Sequence, residues 1–185
     1  MKVLLTTPYK IKKSTPIDSN VDDDIITPYI IKAQETHIQQ YLGTDLFNKI
    51  SNDIKNDNLT GNYKTLMDDY IIPCLVEWSF YEILPFISLK LTNKTIGRPN
   101  ADYLSEGDLN DLKYLRQTVR DVADFYGSRL IGYLKEKSNL FPEYSTNSGM
   151  DKLKPQYKTG FYGGVYTGGG NDCTFGLDIK KTRYL

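Results

Sequence analysis

Asp18-Ser-Asn-Val-Asp-Asp-Asp-Ile-Ile-Thr-Pro-Tyr-Ile-Ile-Lys-Ala-Gln-Glu-Thr-His-Ile-Gln-Gln-Tyr-Leu-Gly-Thr-Asp-Leu-Phe-Asn-Lys-Ile50 decides the fold class. Thr27 stands where an N-cap belongs, and Pro28 would follow at the first helical position, where a missing N–H costs nothing. Asp22, Asp23 and Asp24 lie upstream, near the positive end of the helix dipole. Ile30, Ala33, His37, Ile38, Tyr41 and Leu42 recur at helical spacing and make one apolar stripe. Gly43 is a helix stop. Leu46, Phe47 and Ile50 carry an apolar face into a short second helix over 45–56, with Thr44 and Asp45 competing for its cap. The stretch is helical, bounded and one-sided, so it must pack on something.

Working toward the C-terminus, 56–62 reads as a loop. Residues 62–91 are the most apolar part of the chain. Tyr63, Leu66, Met67, Tyr70 and Ile71 step at helical spacing. Pro73 then kinks the helix or starts a new one. From Leu75 to Leu91 the chain is apolar on nearly every side, which means burial on all sides, in a monomer core or a subunit contact. Pro85 marks a second kink. Residues 92–100 read as a loop with Lys94 and Arg98. Ser105 caps the longest helix, which runs to about 137. Its stripe is Leu109, Leu112, Leu115, Val119, Val122, Tyr126, Leu130 and Tyr133 or Leu134. Gly127 and Gly132 let it bend or pack closely.

The two ends differ from this body. Residues 1–17 read as an extended arm that docks on its own core or on a neighbour. After the apolar anchor 140–144, residues 145–158 are polar with little pattern. Residues 160–170 are rich in Gly and Tyr, and Cys173 to Lys180 alternate as one strand would. Such a tail cannot bury enough surface to fold alone. The expected architecture is mainly α: a small helical bundle over 18–140, an extended N-terminal arm over 1–17, and an extended C-terminal tail over 141–185 carrying a short strand or hairpin.

Composition narrows the function. Lys+Arg and Asp+Glu are 23 each in 185 residues, so the formal net charge is zero. That opposes a protein whose main task is gripping phosphates by bulk charge. The 15 tyrosines suit interfaces as well as cores, and an AT-rich genome would also supply them. Cys74 and Cys173 make no disulfide framework. One histidine leaves a His/Cys zinc site without ligands. No apolar run is expected to reach the length of a membrane span. The N-terminal apolar run is too short for a signal peptide.

No motif carries chemistry. Asp22–Asp24 are explained by a helix start, and the adjacent Asp68 and Asp69 point in different directions. His37, on the apolar stripe, reads as a half-buried, hydrogen-bonded residue rather than a general base. Gly160 to Gly170 lacks the lysine of a phosphate loop. The small basic clusters at Lys10, Lys12 and Lys13 and at Lys180, Lys181 and Arg183 lie in the arms. They face solvent, DNA or an acidic neighbour.

Thr15-Pro-Ile-Asp18, Asn20-Val-Asp22, Ile30 through Ala33-Gln34, and Leu42-Gly-Thr-Asp-Leu-Phe47 resemble the opening of head–tail connector (adaptor) proteins of tailed bacteriophages. Tyr70-Ile-Ile-Pro-Cys-Leu-Val-Glu-Trp-Ser-Phe-Tyr81 and the loop 94–98 resemble the middle of the same group. The likeness is greatest to the versions in crAss-like phages and covers roughly 15–140, not the tail from Phe141. It implies a virion structural protein and not an enzyme. Such a subunit forms a ring, commonly of twelve copies, below the portal. The ring extends the DNA channel, helps retain the genome and offers the tail an attachment platform. The implied partners are further copies of the chain, the portal, other connector or tail proteins, and double-stranded DNA that passes without specific binding. The place is the virion, after synthesis in the bacterial cytoplasm. No catalytic residue, cofactor or metal comes with the resemblance. Phe161, Tyr162, Tyr166 and Phe175 in the tail are the expected partner contacts. Ile30, Ala33, Leu42, Trp78, Tyr81, Leu112, Leu115 and Val119 are the expected buried frame. The rival readings are a phage-encoded DNA-processing enzyme, which needs a convergent acidic or His-based pocket, and a helical DNA-binding module, which needs a basic face.

Overall fold

The computed structural model describes residues 2–88, 90–91, 96–97, 109–146 and 153–155. Within them the chain is a helical bundle. In order come α1 (Pro8–Ser14), α2 (Asp23–Ala33), a π turn (Gln34–Ile38), α3 (Gln39–Leu42), α4 (Thr44–Lys55), α5 (Gly61–Leu66), a second π turn (Met67–Ile71), α6 (Ile72–Ser88), α7 (Leu109–Glu136) and α8 (Pro142–Ser145). Two-residue strands β1 (Lys90–Leu91) and β2 (Ile96–Gly97) pair antiparallel after α6.

The centre is the continuous helix Gly61–Ile87, which takes in α5, the second π turn and all of α6 but its last residue. Leu66, Ile71, Cys74, Leu75 and Ile83 are fully or almost fully buried. By length and composition this helix could cross a membrane, contrary to the expectation that no such run exists. Most of it is covered by protein instead, because α2 packs along α6 on one side and α7 on another. Pro73 neither breaks nor ends it. The π turn just before it closes with an i to i+5 bond from Ile72 N–H to Met67 O, and the helix resumes past the proline.

The N-terminal arm is not extended throughout. Thr7 caps α1 by accepting the Lys10 N–H, and Pro8 occupies the first turn. Leu5, Ile11 and Ile17 are buried in the common core, so the arm docks on its own body. Buried Gln34 fastens it further: its Oε1 accepts Leu5 N–H at 2.7 Å and its Nε2 donates to Val3 O at 3.0 Å.

The central stretch starts earlier than Thr27. Asp22, with extended backbone, accepts the Asp24 N–H at 3.2 Å and begins α2 there. Pro28 therefore lies inside the helix. Its missing N–H leaves unpaired only the carbonyl four residues back, at exposed Asp24, where water is available. Thr27 bonds back to Asp23 O instead of capping. The stop at Gly43 is as expected, with φ +76° and ψ 161°.

α7 packs along α6 through Val119, Ala123, Leu130 and Leu134. Gly127 allows the close approach anticipated for it: a Cβ there would lie 3.0 Å from the Tyr41 ring and hydroxyl. Of the expected frame, Ile30, Ala33, Leu42, Trp78 and Val119 are buried, and Tyr81 and Leu112 are half-buried. Leu115 is not: it is 44% exposed, as is Val122 at 39%. The stripe steps by threes and fours, and at about 100° per residue its members spread over a wide arc with Leu115 and Val122 at one edge. Buried Ala123, Leu130 and Leu134 lie on the other side of Val119, so that edge of the stripe leaves the core. The cap at Ser105 lies outside the described residues, as does the strand or hairpin over 173–180.

The bundle also runs past residue 140. Phe141 is fully buried, in edge contact with Tyr63, and Tyr144 is buried on α8. Further on, Leu153 O accepts the Thr44 N–H at 3.2 Å, and Pro155 lies on Gly43. A Cβ at Gly43 would come within 2.9 Å of the Pro155 ring. Gly43→Ala thus combines a backbone conformation nearly reserved for glycine with a clash. It should lower unfolding stability by about 2–3 kcal/mol, read by urea denaturation at unchanged helicity.

Candidate functional site

The densest polar constellation joins the first π turn to α6. His37 stacks flat on Trp78, with centroids 3.7 Å apart and planes at 8°. Its Nε2 lies 3.0 Å from Glu82 Oε1, and Lys32 Nζ lies 2.6 Å from Glu82 Oε2. Glu82 is only 8% exposed. The hydrogen bond to His37 is the main cause holding its carboxyl low, at about 2; burial opposes this, and Lys32 adds to it. A half-buried, hydrogen-bonded histidine is what the sequence led us to expect. The partner, 45 positions away, was not legible. Only the wide turn and the packing of α2 on α6 bring them together.

This arrangement suits a lock better than a reaction centre. Both oxygens of Glu82 are engaged, one ring nitrogen of His37 faces that carboxylate, and the imidazole face is covered by indole. Toward α7, Arg116 lies 4.3 Å over the Tyr81 ring, and Arg129 lies 5.0 Å over Tyr70 of the second π turn, which itself stacks on Tyr133 at 4.0 Å. Tyr63 donates to Glu143 Oε2 at 2.7 Å. Its hydroxyl is pushed up to about 12, by burial first and then by this bond and the Glu143 charge.

The acidic triplet is used by the start of α2. Asp22 caps it, and Asp23 takes Lys12 at 2.6 Å. Lys12, from the small basic cluster of the arm, is thereby turned onto its own body. Among the described residues no three His, Cys, Asp or Glu side chains gather as metal ligands would. Cys74 is buried and its thiol is pushed up by that burial, so it has little thiolate character. An open cleft of about 280 Å³ lies where α1 meets α6 and α7, lined by Lys10, Ser14, Asp68, Glu77 and Tyr126. Burial raises the Glu77 carboxyl there.

Among the described residues, two groups of apolar side chains are exposed. Ile25, Phe86 and Ile87 are exposed near one end of α2 and α6, where Phe86 lies 5.0 Å from Tyr29. Tyr114, Leu115, Val122 and Phe125 are exposed along α7, with Tyr114 78% and Phe125 63% open. The sequence placed partner contacts instead at Phe161, Tyr162, Tyr166 and Phe175, which lie outside the described residues.

Residues 38–154 match DUF6712, described as a family of unknown function. That is more than half of the chain. The protein belongs to this family. Neither the curated proteins nor the solved structures contain a match. The family match begins at Ile38 inside the first π turn and ends at Lys154, one residue before the proline packed on Gly43. It therefore includes α6, α7, Trp78 and Glu82.

The Glu82 lock sets an acid limit. A carboxyl held below its ordinary value of 4.5 adds stability above that value and loses it as pH falls toward about 2. Stability of the intact protein should therefore drop between about 4.5 and 2. Glu82→Gln should be less stable at neutral pH and lose part of that acid slope. Urea midpoints from pH 2 to 7 read both effects.

Proposed function

We propose that the protein is a virion structural subunit, a head–tail connector that forms a ring below the portal of a tailed phage. The observation that carries the reading is physical. The described body engages Glu82 with Lys32 and His37, stacks His37 on Trp78, and leaves apolar helix faces open, as an assembly subunit does. The resemblance of residues 15–140 to connector proteins gives that subunit its place. Membership of a family of unknown function neither adds to nor subtracts from it.

The work of such a subunit is mechanical. Each copy meets the next through different faces, as a closed ring requires. The tail around Phe161, Tyr162, Tyr166 and Phe175 contacts the portal or a neighbouring copy. Zero net charge keeps the channel from holding DNA tightly. Catalysis has no part in this reading.

Native mass spectrometry of the full chain mixed with its portal tests it. The expected result is a defined complex with twelve copies per portal ring. A chain that ignores the portal and tail proteins would overturn the reading. Phosphodiester cleavage, or DNA binding with a steep salt dependence, would replace it with one of the two rivals.

A further inference from the structure

The cleft where α1 meets α6 and α7 offers acceptors that the described chain leaves unanswered. Glu77 lines it half-buried and makes no hydrogen bond or ion pair among the described residues. Burial is the one cause acting on its carboxyl, which it raises, and no cation of the described chain offsets it. Lys10 lines the same cleft without taking that part: it is exposed, and no ion pair joins it to Glu77 or to Asp68. One and a half turns further along α6 the buried Glu82 is met by both Lys32 and His37. Glu77 is met by neither kind of group.

A second acceptor comes from the backbone. Ile72 N–H passes over Asp68 O and reaches Met67 O, five residues back. Pro73, next in line, has no N–H to give. The Asp68 carbonyl is therefore left without a helical donor. Helix carbonyls point toward the C-terminal end, here toward Ile72 and Pro73, which line the same cleft. The exposed Asp68 carboxylate adds its charge beside them.

The rest of the lining is apolar or aromatic. Ile72 and Val76 are buried, and Tyr126 comes in from α7. An aliphatic stem suits such walls, and a cation suits the face of a tyrosine. The volume of about 280 Å³ falls just under the range of about 300–1,000 Å³ usual for small-molecule pockets. It suits one long side chain better than a larger ligand. Guanidinium only donates, stays charged and presents several N–H groups in one plane, so it answers carboxylate and carbonyl together.

We propose that the cleft between α1, α6 and α7 binds a guanidinium on an aliphatic stem, an arginine side chain, with Glu77 as its counter-ion. The proposal neither uses nor needs the connector reading. Two sources carry this chemistry: an arginine of another molecule, or this chain's own Arg98 or Arg183, which lie outside the described residues.

NMR of the Glu77 side-chain carboxyl carbon in the full chain tests it. Argininamide is the probe, and citrullinamide, whose side chain has the same shape without the charge, is the control. The expected result is a saturable shift with argininamide and little with citrullinamide. Glu77→Gln, followed through the Tyr126 ring signals, should weaken the probe about tenfold or more at unchanged helicity. A full chain that responds directly supports a site open to an arginine of another molecule. One that responds only after Arg98→Gln and Arg183→Gln are combined supports a site filled by the chain itself. No response in either protein overturns the proposal. So does a response that citrullinamide matches or that Glu77→Gln leaves at full strength.

Discussion

A helix that is apolar almost all round must be covered almost all round. Gly61–Ile87 imposes that condition, and the rest of the bundle answers it. α2 covers one side and α7 another, and the docked arm adds Leu5, Ile11 and Ile17 to the same core. The polar groups follow from the same packing. Glu82 is forced into a nearly closed environment by its place on α6. There it is tolerable because Lys32 and His37 both reach it from the α2 side.

Two wide turns make the packing possible. One ends just before Pro73 and lets a single helix pass through a proline that would otherwise end it. The other places His37 on Trp78 and leaves Gln34 buried, bonded to the backbone of residues 3 and 5. Gly43 then turns the chain sharply enough for Leu153 and Pro155 to return onto it. A bundle built this way is closed on the side that carries the polar lock and open along the flank of α7.

Much of this was written locally. The helical class, the stop at Gly43, the burial of most of Leu75 to Leu84, and the close contact at Gly127 all follow from period, turn chemistry and the size of one side chain; the burial expected on every side does not extend to Phe86 and Ile87, which are exposed. What misled was equally local. Pro28 looked like a first-turn residue because proline is at ease there, yet Asp22 offered an earlier cap and the helix runs through the proline. Residues 8–14 were expected to be extended with the rest of the arm, and Thr7 with Pro8 starts a helix there. Leu115 shared a stripe with Val119, but only a few tens of degrees separate a core position from a solvent one on a long helix.

The sequence by itself determined the class of structure and the stop of a helix at Gly43, because these depend on neighbours within a turn or two. The tertiary structure decided which side of each helix is covered and which distant groups meet. Glu82 finding His37 and Lys32, and α7 keeping one apolar flank open, depend on how whole helices are oriented. That orientation is set by the joint filling of one core, a condition no single segment carries in its own residues.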